Sequence, residues 1–135
     1  MGNYYMDWTT PSRIIGACLV LLLLVPVADG QGYDGAKFLR ACNAEVKQRD
    51  GLNISEEESI EALWCVSYVS GFLDALAVSE LMAPVRKAIC LPQRGITTDQ
   101  AARILVKYLR DNPEKLHQSG RISLFVALAK VFPCR

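Results

Sequence analysis

Residues Ser55–Met82 read SEEESIEALWCVSYVSGFLDALAVSELM, and this stretch decides the fold. It opens with a capping box: the Ser55 hydroxyl can accept from the amide at the third helical position, and Glu58 can reach back to the Ser55 amide. Glu56, Glu57 and Glu58 also suit the positive end of a helix dipole. Between Ile60 and Val78 only Glu61, Ser67, Ser70 and Asp74 interrupt the apolar run. A helix apolar on most faces is buried on more than one side, so this segment is expected to be the central helix of a small domain. Ala83-Pro84 ends it, because a residue before proline disfavours the helical region.

Helical periodicity continues on either side. Phe38, Cys42 and Val46 recur every four residues with Leu39 beside them, and Gly51 suits the left-handed position that closes a helix. Thr97-Thr98-Asp99-Gln100 is a second capping box. Behind it Ala101, Ile104, Leu105, Tyr108 and Leu109 trace one apolar stripe. Asn112-Pro113 stops that helix and starts another, with Asn112 as cap and Pro113 at the first helical position. Ile122, Phe125, Leu128, Ala129 and Phe132 are its expected buried face, and Gly120 is a point where it kinks or divides. No segment keeps a period of two. The expectation is all-α: a compact bundle of four main helices over 36–50, 55–82, 97–111 and 113–132, with an irregular connection from Ala83 to Gly95.

Ahead of this pattern lies the apolar run Ile14–Val27, IIGACLVLLLLVPV. It is shorter than the roughly 20 residues of a membrane-spanning helix. Pro26 closes it, and Ala28 and Gly30 follow at small-residue spacing. Residues 1–30 are read as a signal peptide cleaved after Gly30, which leaves 31–135 as one domain outside any membrane. An uncleaved anchor, or a start at Met6, is the alternative, since Arg13 is the only basic residue of the leader. Losing Arg13, Asp7 and Asp29 changes the formal charge from +1 to +2. So neutral a balance marks neither a nucleic-acid-binding stripe nor a polybasic membrane surface.

Export places the remaining cysteines, Cys42, Cys65, Cys90 and Cys134, where disulfides persist. Cys18 leaves with the leader. Four cysteines allow three pairings. If the first two helices form an antiparallel hairpin, Cys42 before Gly51 and Cys65 after Ser55 stand nearly level at about 1.5 Å per residue. The chain end then returns towards the segment holding Cys90. This favours Cys42–Cys65 and Cys90–Cys134 over the rival Cys65–Cys90. A zinc site would need closely spaced cysteine pairs, which are absent. No metal or other cofactor is implied.

Cys65–Asp74 reads CVSYVSGFLD, followed in order by Cys90-Leu91-Pro92, Gly95-Ile96-Thr97, Lys107-Tyr108-Leu109, Asn112-Pro113-Glu114, Leu116-His117 and Phe132-Pro133-Cys134. This series resembles the Rap/Tai family of immunity proteins, which protect bacteria against cell-wall amidase toxins delivered by type VI secretion. The resemblance runs from about Phe38 to Cys134. Ser67 departs from it, standing where the family's glycine is expected. The resemblance implies a small helical periplasmic protein, often a homodimer, that plugs the toxin's active-site groove and catalyses nothing itself.

Several residues are candidates for the contact. The irregular segment Ala83–Gly95 is the first choice for a presented loop, with Arg86, Lys87 and Arg94 as its partner-binding cations. Tyr68, Gly71 and Asp74 lie about a turn apart and are either a contact patch or a structural motif. In the structural reading, which is preferred, Gly71 permits close helix approach while Tyr68 and Asp74 bond buried polar groups. Ser67, Ser70 and Gly71 form a small-residue face suited to close helix packing. His117 is the single histidine, with no positioned acid or nucleophile to make a catalytic set. A small hydrolase is therefore the weakest reading. A periplasmic helical scaffold without a toxin shares all the same features, and a neighbouring gene for a small Cys-His amidase would separate the two.

Overall fold

The computed structural model describes residues 33–82 and 87–134. The signal-peptide reading of residues 1–30 lies outside them. Four α-helices follow one another: α1 (Gly35–Arg49), α2 (Glu56–Met82), α3 (Thr98–Asp111) and α4 (Gly120–Val131). A short 3-10 turn, Pro113–Lys115, sits between α3 and α4. The described residues contain no strand beyond two isolated bridges, Asp34 with Ser119 and Ile89 with Pro133.

The first three helices begin where a side chain satisfies a free amide. Asp34 accepts from the Lys37 amide at 2.9 Å ahead of α1. At α2 the Ser55 hydroxyl accepts from Glu58 N at 3.1 Å, and Glu58 accepts from Ser55 N at 3.0 Å. The Thr97–Gln100 pair repeats this at α3, at 3.1 and 2.9 Å. Gly51 closes α1 in the left-handed region, φ 74°, where a side chain would be strained.

The fourth expected helix is divided. The segment at 116–119 leaves the helical path because its carbonyls serve α1: Ala36 N donates to Leu116 O at 2.9 Å and Gly35 N to Gln118 O at 2.8 Å. Gly120 N donates in turn to Tyr33 O at 2.9 Å. Asn112 does not cap; its Nδ2 donates back to Tyr108 O at 2.7 Å. Two glycines permit this close crossing. A Cβ on Gly120 would fall 2.2 Å from Phe38 Cδ2, and one on Gly35 would fall 3.0 Å from Lys115 O.

The core is not centred on the long helix. Phe38, Ala41, Cys42 and Ala44 of α1 are buried with Ala101, Ala102, Leu105, Val106 and Leu109 of α3 and with Leu124, Ala127 and Leu128 of α4. From α2 only Ala62, Cys65 and Val69 reach this core fully. The expectation of a central helix fails because α1 and α3 pack on one side of α2 and no described element packs on the other. The α4 register differs too. Docking Gly120 on Phe38 turns Ser123, Leu124, Ala127 and Leu128 inward and leaves Ile122 and Phe125 exposed.

Cys42 and Cys65 are joined, with S–S 2.02 Å and Cα atoms 5.1 Å apart, and both are fully buried. They lock the α1–α2 hairpin at the level that the equal distances from its turn predict. Cys90 and Cys134 are joined with Cα atoms 5.0 Å apart. That second bridge ties the α2–α3 connection to the chain end, beside a 2.8 Å hydrogen bond from Cys90 N to Phe132 O.

Two stability outcomes follow from this packing. Replacing Cys42 and Cys65 together with Ala should cost about 2–4 kcal/mol, read by urea titration. Gly120→Ala should cost about 1–3 kcal/mol, because the new methyl displaces the buried Phe38 ring. A Gly120→Ala protein as stable as the parent would show that the crossing relaxes freely.

Candidate functional site

Residues 87–97, ahead of α3, are irregular and held at their middle. Ile89 is buried and pairs with Pro133, Cys90 is covalently tied to Cys134, and Gly95 N closes a turn on Pro92 O at 2.7 Å. Gly95 takes φ 69° there, which favours glycine. Lys87 and Arg94 are exposed on either side of this anchor. Lys87 Nζ stands 3.4 Å from Glu80 Oε2, and Arg94 makes no hydrogen bond or ion pair among the described residues. Arg86 lies outside the described residues. Two of the three expected contact cations thus share one anchored loop with an exposed surface.

Tyr68, Gly71 and Asp74 do not form the structural motif expected of them. A Cβ on Gly71 would meet nothing within 4 Å, so no element approaches it closely. Asp74 is exposed and bonds no buried group among the described residues. The reason lies in the one-sided burial of α2: its packed line runs through Ala62, Cys65 and Val69, and Gly71 is turned away from it. Ser67, Tyr68, Gly71, Phe72 and Ala75 instead line a shallow open groove of about 410 Å³.

Tyr68 belongs to an aromatic cluster absent from the sequence reading. Tyr33 stacks on Trp64 with centroids 3.6 Å apart, and Trp64 on Tyr68 at 5.4 Å. The Phe38 ring meets Trp64 and Tyr68 edge-on, each at 4.9 Å. Edge-to-face pairs of this kind add roughly 0.5–1.5 kcal/mol beyond burial. The signal available in sequence was the spacing of Trp64 and Tyr68, one turn apart on α2 and level with Phe38 across the hairpin. His117 is exposed in the turn before α4.

Ion pairs stitch α1 to its neighbours. Lys47 Nζ lies 2.7 Å from Glu58 on α2, and Arg40 pairs with Glu61. Arg103 on α3 forks between Asp99, at 3.1 Å, and Asp50 at the end of α1, at 2.6 Å. The hydrogen bond from Arg103 holds the Asp50 carboxyl below its usual value of 3.8. Lys47 and the Ser55 amide likewise hold Glu58 below 4.5. Among the described residues Glu45 is the one buried carboxylate, accepting from Arg49 Nε at 2.7 Å.

The chain is a small disulfide-stapled helical domain with an anchored, exposed loop and three helix starts capped by side chains, an arrangement suited to binding. The family model for Rap1a immunity proteins matches residues 34–134, and the chain belongs to this family. No curated protein and no solved structure matches it. Family membership makes it an immunity protein, whose partner is an effector protein.

The carboxylate shifts contribute to the acid limb of stability. Asp50 and Glu58 have folded values below their unfolded ones, so their contribution is complete above about 4.5 and is lost as pH falls through the folded values. The melting temperature should therefore hold from pH 7 to about 5 and decline below about 4. Arg103→Met should make that decline shallower by releasing Asp50; an unaltered acid limb would remove the Asp50–Arg103 pair as a cause.

Proposed function

We propose that this protein is a periplasmic immunity protein that binds and occludes a peptidoglycan amidase effector delivered by type VI secretion. The observation that carries the reading is the family match over residues 34–134, together with the ordered motifs from Cys65 to Cys134. Export through residues 1–30 brings the protein to the compartment where such an effector meets the cell wall and where both disulfides persist. A homodimer is part of the same reading.

The mechanism is stoichiometric blockade. A groove is closed most effectively by a surface that loses little freedom on binding. The Ala83–Gly95 connection is suited to this, since Cys90 and Ile89 hold its middle against the chain end. Its cations, Arg86, Lys87 and Arg94, offer long-range attraction to an acidic groove rim and affect the association rate most.

Changing Arg86, Lys87 and Arg94 together to Ala should weaken binding to a cognate cell-wall amidase by about 10–100-fold, measured by isothermal titration. The melting temperature should stay nearly constant, because Lys87 and Arg94 are exposed. Unaltered affinity would remove this loop from the contact. A protein that neither binds the amidase nor protects cells exporting it would leave the scaffold reading in its place.

A further inference from the structure

The two disulfides differ in what a reductant can reach. Cys42 and Cys65 are both fully buried between α1 and α2. Cys90 is exposed and Cys134 half-buried, and their bridge joins the irregular residues 87–97 to the end of the described chain. An exposed disulfide exchanges directly with thiols from outside. A buried one is attacked only after the fold around it opens.

The helical core does not depend on the exposed bridge. Of residues 87–97 only Ile89 is fully buried, while Leu91 and Ile96 pack partly against the core. Apart from the covalent tie, this segment meets the chain end through the Ile89–Pro133 pairing and the 2.8 Å hydrogen bond from Cys90 N to Phe132 O. Segments with so few buried contacts open locally well before the domain unfolds. The hairpin of α1 and α2 keeps its own disulfide, and α3 is held to α1 and α4 through Phe38, Leu105, Leu109, Leu124 and Leu128.

We propose that Cys90–Cys134 is a redox latch, opened selectively by a dithiol reductant of the Cys-x-x-Cys class, which frees residues 87–97 from the chain end and leaves the helical core folded. Attack falls on Cys90, the exposed partner. The reductant's thiolate bonds to Cys90 Sγ, and Cys134 Sγ leaves as a thiolate. The reductant's second thiolate then attacks its own bridged sulfur and displaces Cys90 Sγ. The reductant ends as a disulfide, having given two electrons, and both freed thiolates can take protons from water. Lys87 and Arg94 stand three and four residues from Cys90. Cations beside a cysteine favour its thiolate, and a stabilised thiolate leaves faster. The oxidised form presents the segment rigid, and the reduced form must order it at the moment of binding. That consequence for binding rests on the function proposed above.

The test starts from the oxidised full chain, exposed to reduced thioredoxin, quenched with an alkylating agent at timed intervals and mapped by peptide mass. Thiols at Cys90 and Cys134 should appear about 100-fold or more faster than those at Cys42 and Cys65. Thioredoxin whose resolving cysteine is replaced by Ser should be trapped on Cys90. Hydrogen exchange should quicken at 87–97 and 132–134 alone, with helical circular dichroism unchanged. The Cys90→Ser, Cys134→Ser double variant should reproduce that exchange pattern without reductant and bind a cognate cell-wall amidase about 10-fold or more weakly than the oxidised parent. Both disulfides opening at one rate, a Cys90–Cys134 bridge that resists reduction, or unaltered exchange after its opening would overturn the latch. A double variant that binds as tightly as the parent overturns its control of binding. An oxidised parent that fails to bind the amidase overturns the function proposed above, and timed alkylation still reads the latch separately.

Discussion

Helix α1 must satisfy three neighbours at once, and the side of it that carries Phe38 and Cys42 is where they meet. Phe38 lies under Gly120 of α4 and edge-on to Trp64 and Tyr68 of α2. One turn on, Cys42 is bonded to α2, while Asp50 at the end of the helix reaches Arg103 of α3. The amides at the start of α1 take their partners from Leu116 and Gln118. Moving α1 by even a fraction of a turn would break a covalent bond, a ring cluster and a backbone crossing together. A chain this short buries a limited core, so fixing one helix against all the others is an economical way to obtain a single native packing.

That arrangement leaves α2 with one packed side. The helix is long because its amino acids favour it and nothing breaks it before Ala83-Pro84. The rest of the domain is shorter; it buries the line through Ala62, Cys65 and Val69 and partly covers Trp64, Tyr68, Phe72, Leu73 and Leu76 beside it. The outward face is as apolar as the inward one. Along that face Ser67 donates back to Leu63 O at 2.9 Å within the helix, and Gly71 meets open space.

The two disulfides divide their work between core and surface. Cys42–Cys65 is wholly buried and serves the hairpin. Cys90–Cys134 lies nearer the surface, with Cys90 exposed, and restrains the connection that carries Lys87 and Arg94. Binding surfaces on loops lose conformational entropy when they engage a partner. A covalent tie in the free protein reduces that loss in advance, a property suited to an immunity protein.

Much of this was legible in the sequence because it depends on local chemistry. Ser55–Glu58 and Thr97–Gln100 mark helix starts through side-chain-to-amide hydrogen bonds that span four residues. Gly51 marks an end through its allowed φ. The level placement of Cys42 and Cys65 follows from helix rise alone, and the ordered motifs to Cys134 pointed to the immunity family. Tertiary structure decided the rest. An apolar helix reads the same whether one side or two are covered, so the one-sided burial of α2, and with it the role of Gly71, depended on where α1 and α3 docked. The break at 116–119 depended on carbonyls that leave their own helix to meet α1. The register of α4 depended on Gly120 meeting Phe38, a contact between residues far apart in the chain. Periodicity reports how a segment folds on itself; which of its faces finds a neighbour is settled only when the whole chain is packed.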